Sequence, residues 1–133
     1  MSSPLSRRRA SALVALVALV SLALTGCSGS EIETVRENFV AAGGSCSEWT
    51  ALGDSRATDS IECSDGARLY LFPGDAERAD FVKTELESNE LIRARTHIML
   101  SGENWLVFDR IAVIVHVMPS MHGIIQGRNG ANP

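Results

Sequence analysis

The chain has 133 residues, enough for one domain, and its 45% hydrophobic and 21% charged residues are ordinary for a globular protein. The formal net charge of −4 hides an asymmetry: three of the 12 basic residues (Arg7, Arg8 and Arg9) and none of the 16 acidic ones precede Cys27, so the remainder carries −7. That balance argues against nucleic acid as a partner, which needs a basic face, and against electrostatic docking on anionic lipid.

The first segment has a three-part pattern. Arg7-Arg8-Arg9 is a positive n-region, and Ala12 to Ala23 is an apolar run of about a dozen residues, within the range of a signal-peptide h-region. The run is shorter than the ~20 residues a membrane-spanning helix needs. Small residues follow it, as a cleavage site requires, and a buried N-terminal helix would have no use for three adjacent arginines. Leu24-Thr25-Gly26-Cys27 resembles the bacterial lipobox: a branched apolar residue, two small residues and a cysteine. The resemblance implies a diacylglycerol on the Cys27 thiol and cleavage just before Cys27, leaving it as the new N-terminus, held on the outer face of the cytoplasmic membrane. Residues 1–26 would then be a signal peptide and 27–29 a lipidated tether. Ser6-Arg7-Arg8 also resembles part of a twin-arginine signal. Arg9-Ala10-Ser11 lack its usual bulky apolar residue, so general secretion is the favoured route.

The domain is expected over 30–126. Ser30 and Glu33 have capping-box spacing, and Ile32, Val35, Phe39 and Ala42 recur as one helical stripe that Gly43-Gly44 ends. Only Ser28 and Gly29 separate Cys27 from that helix, so the domain stays near the bilayer. The first helix is therefore expected on the membrane side, with a partner surface at the opposite end near the Asp65-Gly66 or Gly102-Glu103-Asn104 turns. Ser45 to Leu52 and Ser60 to Cys63 read as strands, and Ser64-Asp65-Gly66 as a tight turn. Ala67 to Phe72 alternates as a strand. Pro73-Gly74-Asp75 opens a second helix, through about Ser88, with acidic residues in its first turns. Asn89 is a stop. Thr96 to Leu100 and Trp105 to Phe108 read as partner strands about a turn at 101–104. The β-branched run Ile111 to Val117 reads as a buried strand ended by Pro119, with a helix across the stretch as the alternative, and Ser120 to Gln126 as a short helix. The tail 127–133 is rich in Gly and Asn and is expected to be disordered.

This order predicts an α+β fold, a small antiparallel sheet with helices on one face. The mature part also resembles a loose group of small actinobacterial lipoproteins with paired cysteines, a middle helix and a late Gly-x-Asn-Trp turn, here Gly102-Glu103-Asn104-Trp105. The resemblance implies a fold and no reaction. With Cys27 lipidated, Cys46 and Cys63 are an even pair in an oxidising compartment, which predicts a disulfide; a reactive thiol or a metal pair is the alternative.

No stretch names a reaction. Gly53-Asp54-Ser55 resembles the start of the GDSL hydrolase block, but Arg56 replaces its leucine and no Asp-x-x-His pair is present, so a turn is the better reading. His97, His116 and His122 lack the i, i+2 or i, i+4 partners of a metal site, and His116 reads as a core residue. The acidic residues from Asp54 to Asp80 have no EF-hand pattern. Trp49 and Trp105 read as core residues, with Trp105, beside a turn, the one candidate ligand contact. No cofactor or metal set is predicted. Three functions remain: a membrane-anchored, non-enzymatic binding or accessory module; an envelope inhibitor or sensor whose acidic face meets an exported protein; and a small hydrolase with Ser, His and Asp assembled by the fold. Nothing in the sequence indicates an oligomeric state.

Overall fold

The computed structural model of the protein describes residues 30–127. The signal peptide, the lipobox and Cys27 lie outside them, as does the tail beyond Gly127. Among the described residues no helix is long and apolar enough to cross a membrane. Among the described residues four helices, α1 (Glu31–Ala41), α2 (Asp75–Ser88), α3 (Glu90–Arg93) and α4 (Ile111–Met121), accompany six strands. The strands are β1 (Trp49–Ala51), β2 (Asp59–Cys63), β3 (Arg68–Leu71), β4 (His97–Ser101), β5 (Trp105–Arg110) and β6 (Ile124–Gln126). All pair antiparallel in one sheet of order β1-β2-β3-β5-β4-β6. The α+β class, the antiparallel sheet and the single disulfide agree with the sequence reading.

The helices, however, cover both faces of the sheet. The reason is visible on β3, where Leu69 and Leu71 bury on one side while Tyr70, and Phe72 just after the strand, bury on the other. One apolar row runs across the sheet through Ile61, Leu69, Val107, Leu100 and Ile125. It packs with Ile32, Val35 and Phe39 of α1 and with Ile114 and Val117 of α4. The opposite core joins Tyr70, Phe72, Met99, Leu106 and Phe108 to Phe81 and Val82 of α2 and Ile92 of α3. Sheet residues buried on both sides require cover on both sides.

Local signals explain most boundaries. α1 begins right after Ser30, and Gly43 follows its end with φ 110°, a conformation that favours glycine. Asn89 ends α2 and starts α3, its side-chain oxygen accepting from the N–H groups of Leu91 and Ile92 at 3.0 and 3.2 Å. In the β2–β3 turn Gly66 N–H donates to Cys63 O at 2.9 Å and only Gly66 has positive φ (101°), so it is the form that closes on a left-handed glycine rather than the two-residue Asp-Gly turn.

Four readings are corrected. The first strand is only Trp49–Ala51, because residues from Ser45 to Glu48 are spent reaching the sheet edge through the disulfide at Cys46. The run from Ile111 is helix, with Ile114 and Val117 buried one turn apart. Pro119 is its ninth residue; the bond it cannot make would end on the carbonyl of Val115, whose side chain is exposed, so water can serve that carbonyl instead. Of the helix expected over Ser120 to Gln126 only Ser120 and Met121 are helical, as the end of α4; His122 is left-handed (φ 56°) and Ile124–Gln126 is strand β6. Finally, the turns at Asp65-Gly66 and 102–104 do not share an end. Arg68 pairs with Phe108 and Leu71 with Trp105, so they stand at opposite ends of the sheet. The 102–104 turn is the one near the start of α1, since Asn104 and Glu31 line one cleft.

Candidate functional site

A partly enclosed concavity lies between α1 and α4. It measures about 320 Å³ and is walled by Val35, Asn38, Ala41, Ala42, Trp105, Ser120, Met121 and His122. That is the lower end of the volume range of small-ligand sites. The helical repeat of α1 brings Val35, Asn38 and Ala42 onto one side. The left-handed turn at His122 brings Ser120, Met121 and His122 to the other.

Trp105, the candidate ligand contact, forms the floor and is half-buried. Its indole lies against two glycines. A Cβ on Gly102 would collide with Nε1 and Cε2, and a Cβ on Gly123 would come within 2.9 Å of Cη2 and 2.7 Å of Leu100. Two glycines thus leave room for the ring where side chains would collide with it. The groove offers an aromatic face, apolar walls and three polar groups: the Asn38 amide, the Ser120 hydroxyl and the His122 imidazole. With polar and apolar surface in about equal part, this arrangement suits a small ligand that carries both an apolar portion and hydrogen-bonding groups. Asn38, Ser120 and His122 were not singled out as a set from the sequence. The helical period could have placed Asn38 beside Ala42, but the turn that returns His122 leaves no such pattern.

The other expected residues are dispersed. Cys46 and Cys63 are bonded, with Cα atoms 5.0 Å apart. Cys63 ends β2, whereas Cys46 sits in the loop before β1. Trp49 is exposed, not core, with the Arg36 guanidinium 4.0 Å over its ring. Asp54 reads as the turn residue expected: its carboxylate accepts from the Arg56 backbone at 3.0 Å and side chain at 2.7 Å, which holds it below the usual carboxylate range.

The histidines do not converge. His116 is exposed on α4 rather than in the core, because the helical period turns it outward against Gly43. His97 stacks on Phe108 at 5.1 Å and shares a hydrogen bond of 2.9 Å with Thr96 Oγ1; burial lowers its pKa and favours the neutral ring. It borders an open cleft with Ser64 and Glu62, but Glu62 is taken by Arg68 at 2.8 Å. No hydrogen bond among those described joins a histidine, a serine and a carboxylate in series. Among the described residues no three His, Cys, Asp or Glu side chains are grouped to hold a metal ion.

Two buried groups escaped the sequence reading. Asp109, at the end of β5, is 5% exposed, and burial raises its carboxyl pKa although Arg110 N–H donates to it at 2.7 Å. Tyr70 lies 4.6 Å from the Phe81 ring, in the core under α2. Neither lines the groove. No protein-family model, curated protein or solved structure matches the chain.

Proposed function

We propose that the protein is a lipoprotein of the cell envelope, anchored on the outer face of the cytoplasmic membrane through lipid on Cys27, whose domain is a non-enzymatic binding module. The observation that carries the anchor is the succession of Arg7-Arg8-Arg9, the apolar run and Leu24-Thr25-Gly26-Cys27. The Cys46–Cys63 disulfide supports it twice. It suits an oxidising, exported setting, and it leaves Cys27 as the one cysteine outside the pair. The Trp105 groove supports the binding reading, with a small, part-apolar and part-polar ligand as its occupant.

Metabolic labelling with a fatty-acid analogue tests the anchor. Cys27→Ser is expected to abolish labelling and to leave an uncleaved precursor; equal labelling of both forms would sink the reading. A second reading, an inhibitor or sensor of an exported protein, draws on α2, whose exposed Asp75, Glu77, Asp80 and Glu87 form an acidic surface. A basic partner retained at low salt and released at high salt would favour it.

A further inference from the structure

Residues at 111, 112, 115, 116 and 119 form the outer side of α4, opposite the buried Ile114 and Val117. They are Ile111, Ala112, Val115, His116 and Pro119, with Val115 50% and Ile111 37% exposed. Single exposed apolar residues are unremarkable, but a helix whose solvent side carries one polar side chain, His116, among four apolar ones marks a contact surface. α4 also contains no Asp, Glu, Lys or Arg. Each of the other helices carries carboxylates: Glu33 and Glu37 on α1, Asp80 on α2 and Glu90 on α3, among others.

What covers this face is indicated by the chain itself. α1 and α4 bury into the same core and so form one layer on one side of the sheet. Ser30, where α1 starts, is three residues from Cys27, a reach of about 10 Å at full extension. The tether therefore joins the layer that contains α4. A domain carrying −7 is repelled by anionic headgroups on any carboxylate-bearing face, and α4 is the helix without one. We propose that the uncharged outer face of α4 rests on the lipid bilayer to which Cys27 ties the domain, a docking that rests on the anchor proposed above. Lipid on Cys27 supplies the attachment. The α4 face sets which side of the domain turns down, in the manner of interfacial helices that bury an apolar face.

The test uses the lipidated protein, purified and returned to phosphatidylcholine vesicles. Cys46 and Cys63 are bonded and the Cys27 thiol is blocked by its thioether, so Val115→Cys or Lys83→Cys introduces a unique site for a nitroxide label. Both positions are exposed, so neither substitution disturbs packing. Collision with oxygen, which partitions into lipid, is compared with collision with a water-soluble nickel chelate. The Val115 label is expected at the depth of roughly 5–10 Å at which interfacial helices bury their apolar side. The Lys83 label, on the other layer, is expected to report water. A Val115 label as accessible to nickel as the Lys83 label, on vesicles that retain the protein in flotation, would overturn the docking and leave the anchor standing. Dipolar coupling between Val115 labels of neighbouring molecules would overturn it in favour of a second copy. Failure of the unlabelled protein to float with the vesicles would remove the anchor, and the docking with it.

Discussion

Tyr70 shows how the tighter core constrains chemistry. Phe72 and Phe81 flank its ring at 6.3 and 4.6 Å, and the residue is 2% exposed. Burial pushes its pKa from 10.0 up to about 12, since the phenolate would lose its water. The folded state therefore holds this proton more tightly than the unfolded chain. The stability this contributes is fully present below pH 10.0 and is lost as pH rises through about 12. Tyr70→Phe should remove that alkaline loss, about 3 kcal/mol for a shift of this size. Urea unfolding of both forms at pH 9 and pH 12 measures it; an equal loss in Tyr70→Phe would show that other groups dominate. At Gly102 the expectation is steric. Gly102→Ala places a methyl where the Trp105 indole lies, so the ring must leave its slot. The variant should unfold at lower urea and shift Trp105 emission to longer wavelength as the ring meets water; an unchanged spectrum would mean the backbone yields instead. The Tyr70 constraint is not legible in the sequence, where Tyr70 is one alternating position among several. The Gly102-Glu103-Asn104-Trp105 turn is legible as a turn, but the closeness of its glycine to the indole, and that of Gly123 across a helix, is not.

At the scale of elements, legibility followed the contrast between buried and exposed positions. α1 and α2 were readable because charged residues fill their outer sides, and β3 because turn residues bound it. In the sequence α4 resembles a strand because its outer side, His116 apart, is apolar too. Without polar residues at 111, 112 and 115 the helical period is hidden, and a run of valines and isoleucines then resembles a buried strand. The property that concealed the helix is the same one that suggests a lipid contact. Pro119 strengthened the misreading, since an interior proline costs a hydrogen bond. Pro119→Ala should stabilise the domain, by no more than the ~3 kcal/mol that separates the two residues in a helix. A lower thermal midpoint would show that the ring packs usefully. The Cys46–Cys63 link was legible by elimination once Cys27 was set aside. It closes a loop that runs from the segment before β1 to the end of β2, with a sequence separation of 17. Replacing both cysteines by alanine should cost about 3 kcal/mol in urea unfolding by the chain-entropy argument. A loss below about 1 kcal/mol would indicate that the unfolded chain retains structure around the loop.

At the scale of the whole domain, three layers determine what faces what. α2 and α3 cover one side of the sheet, α1 and α4 the other. The Trp105 groove belongs to the α1–α4 layer and the acidic α2 surface to its opposite. A tether alone would let the domain stand on the end that holds the start of α1. Glu103 would then lie near the bilayer and Asp65 outermost, because the strand register puts these turns at opposite ends. Docking through α4 lays the sheet parallel to the membrane instead. With layers roughly 10 Å apart, α2 stands about 20 Å further from the lipid than α4, and both turns lie at similar, intermediate heights. In that arrangement the groove opens beside the headgroups, where a partly apolar ligand would arrive from the bilayer. In the proposed orientation a protein partner arriving from outside would meet the acidic side of α2. Energy transfer from single dyes at Val115, Asp65, Glu103 and Lys83 to acceptors in the headgroup plane should rank them in height. Val115 is expected lowest, Asp65 and Glu103 level with one another, and Lys83 highest. If Glu103 ranks lowest and Asp65 highest while Val115 and Lys83 are level, the domain stands on end. The tether would then orient it without help from α4.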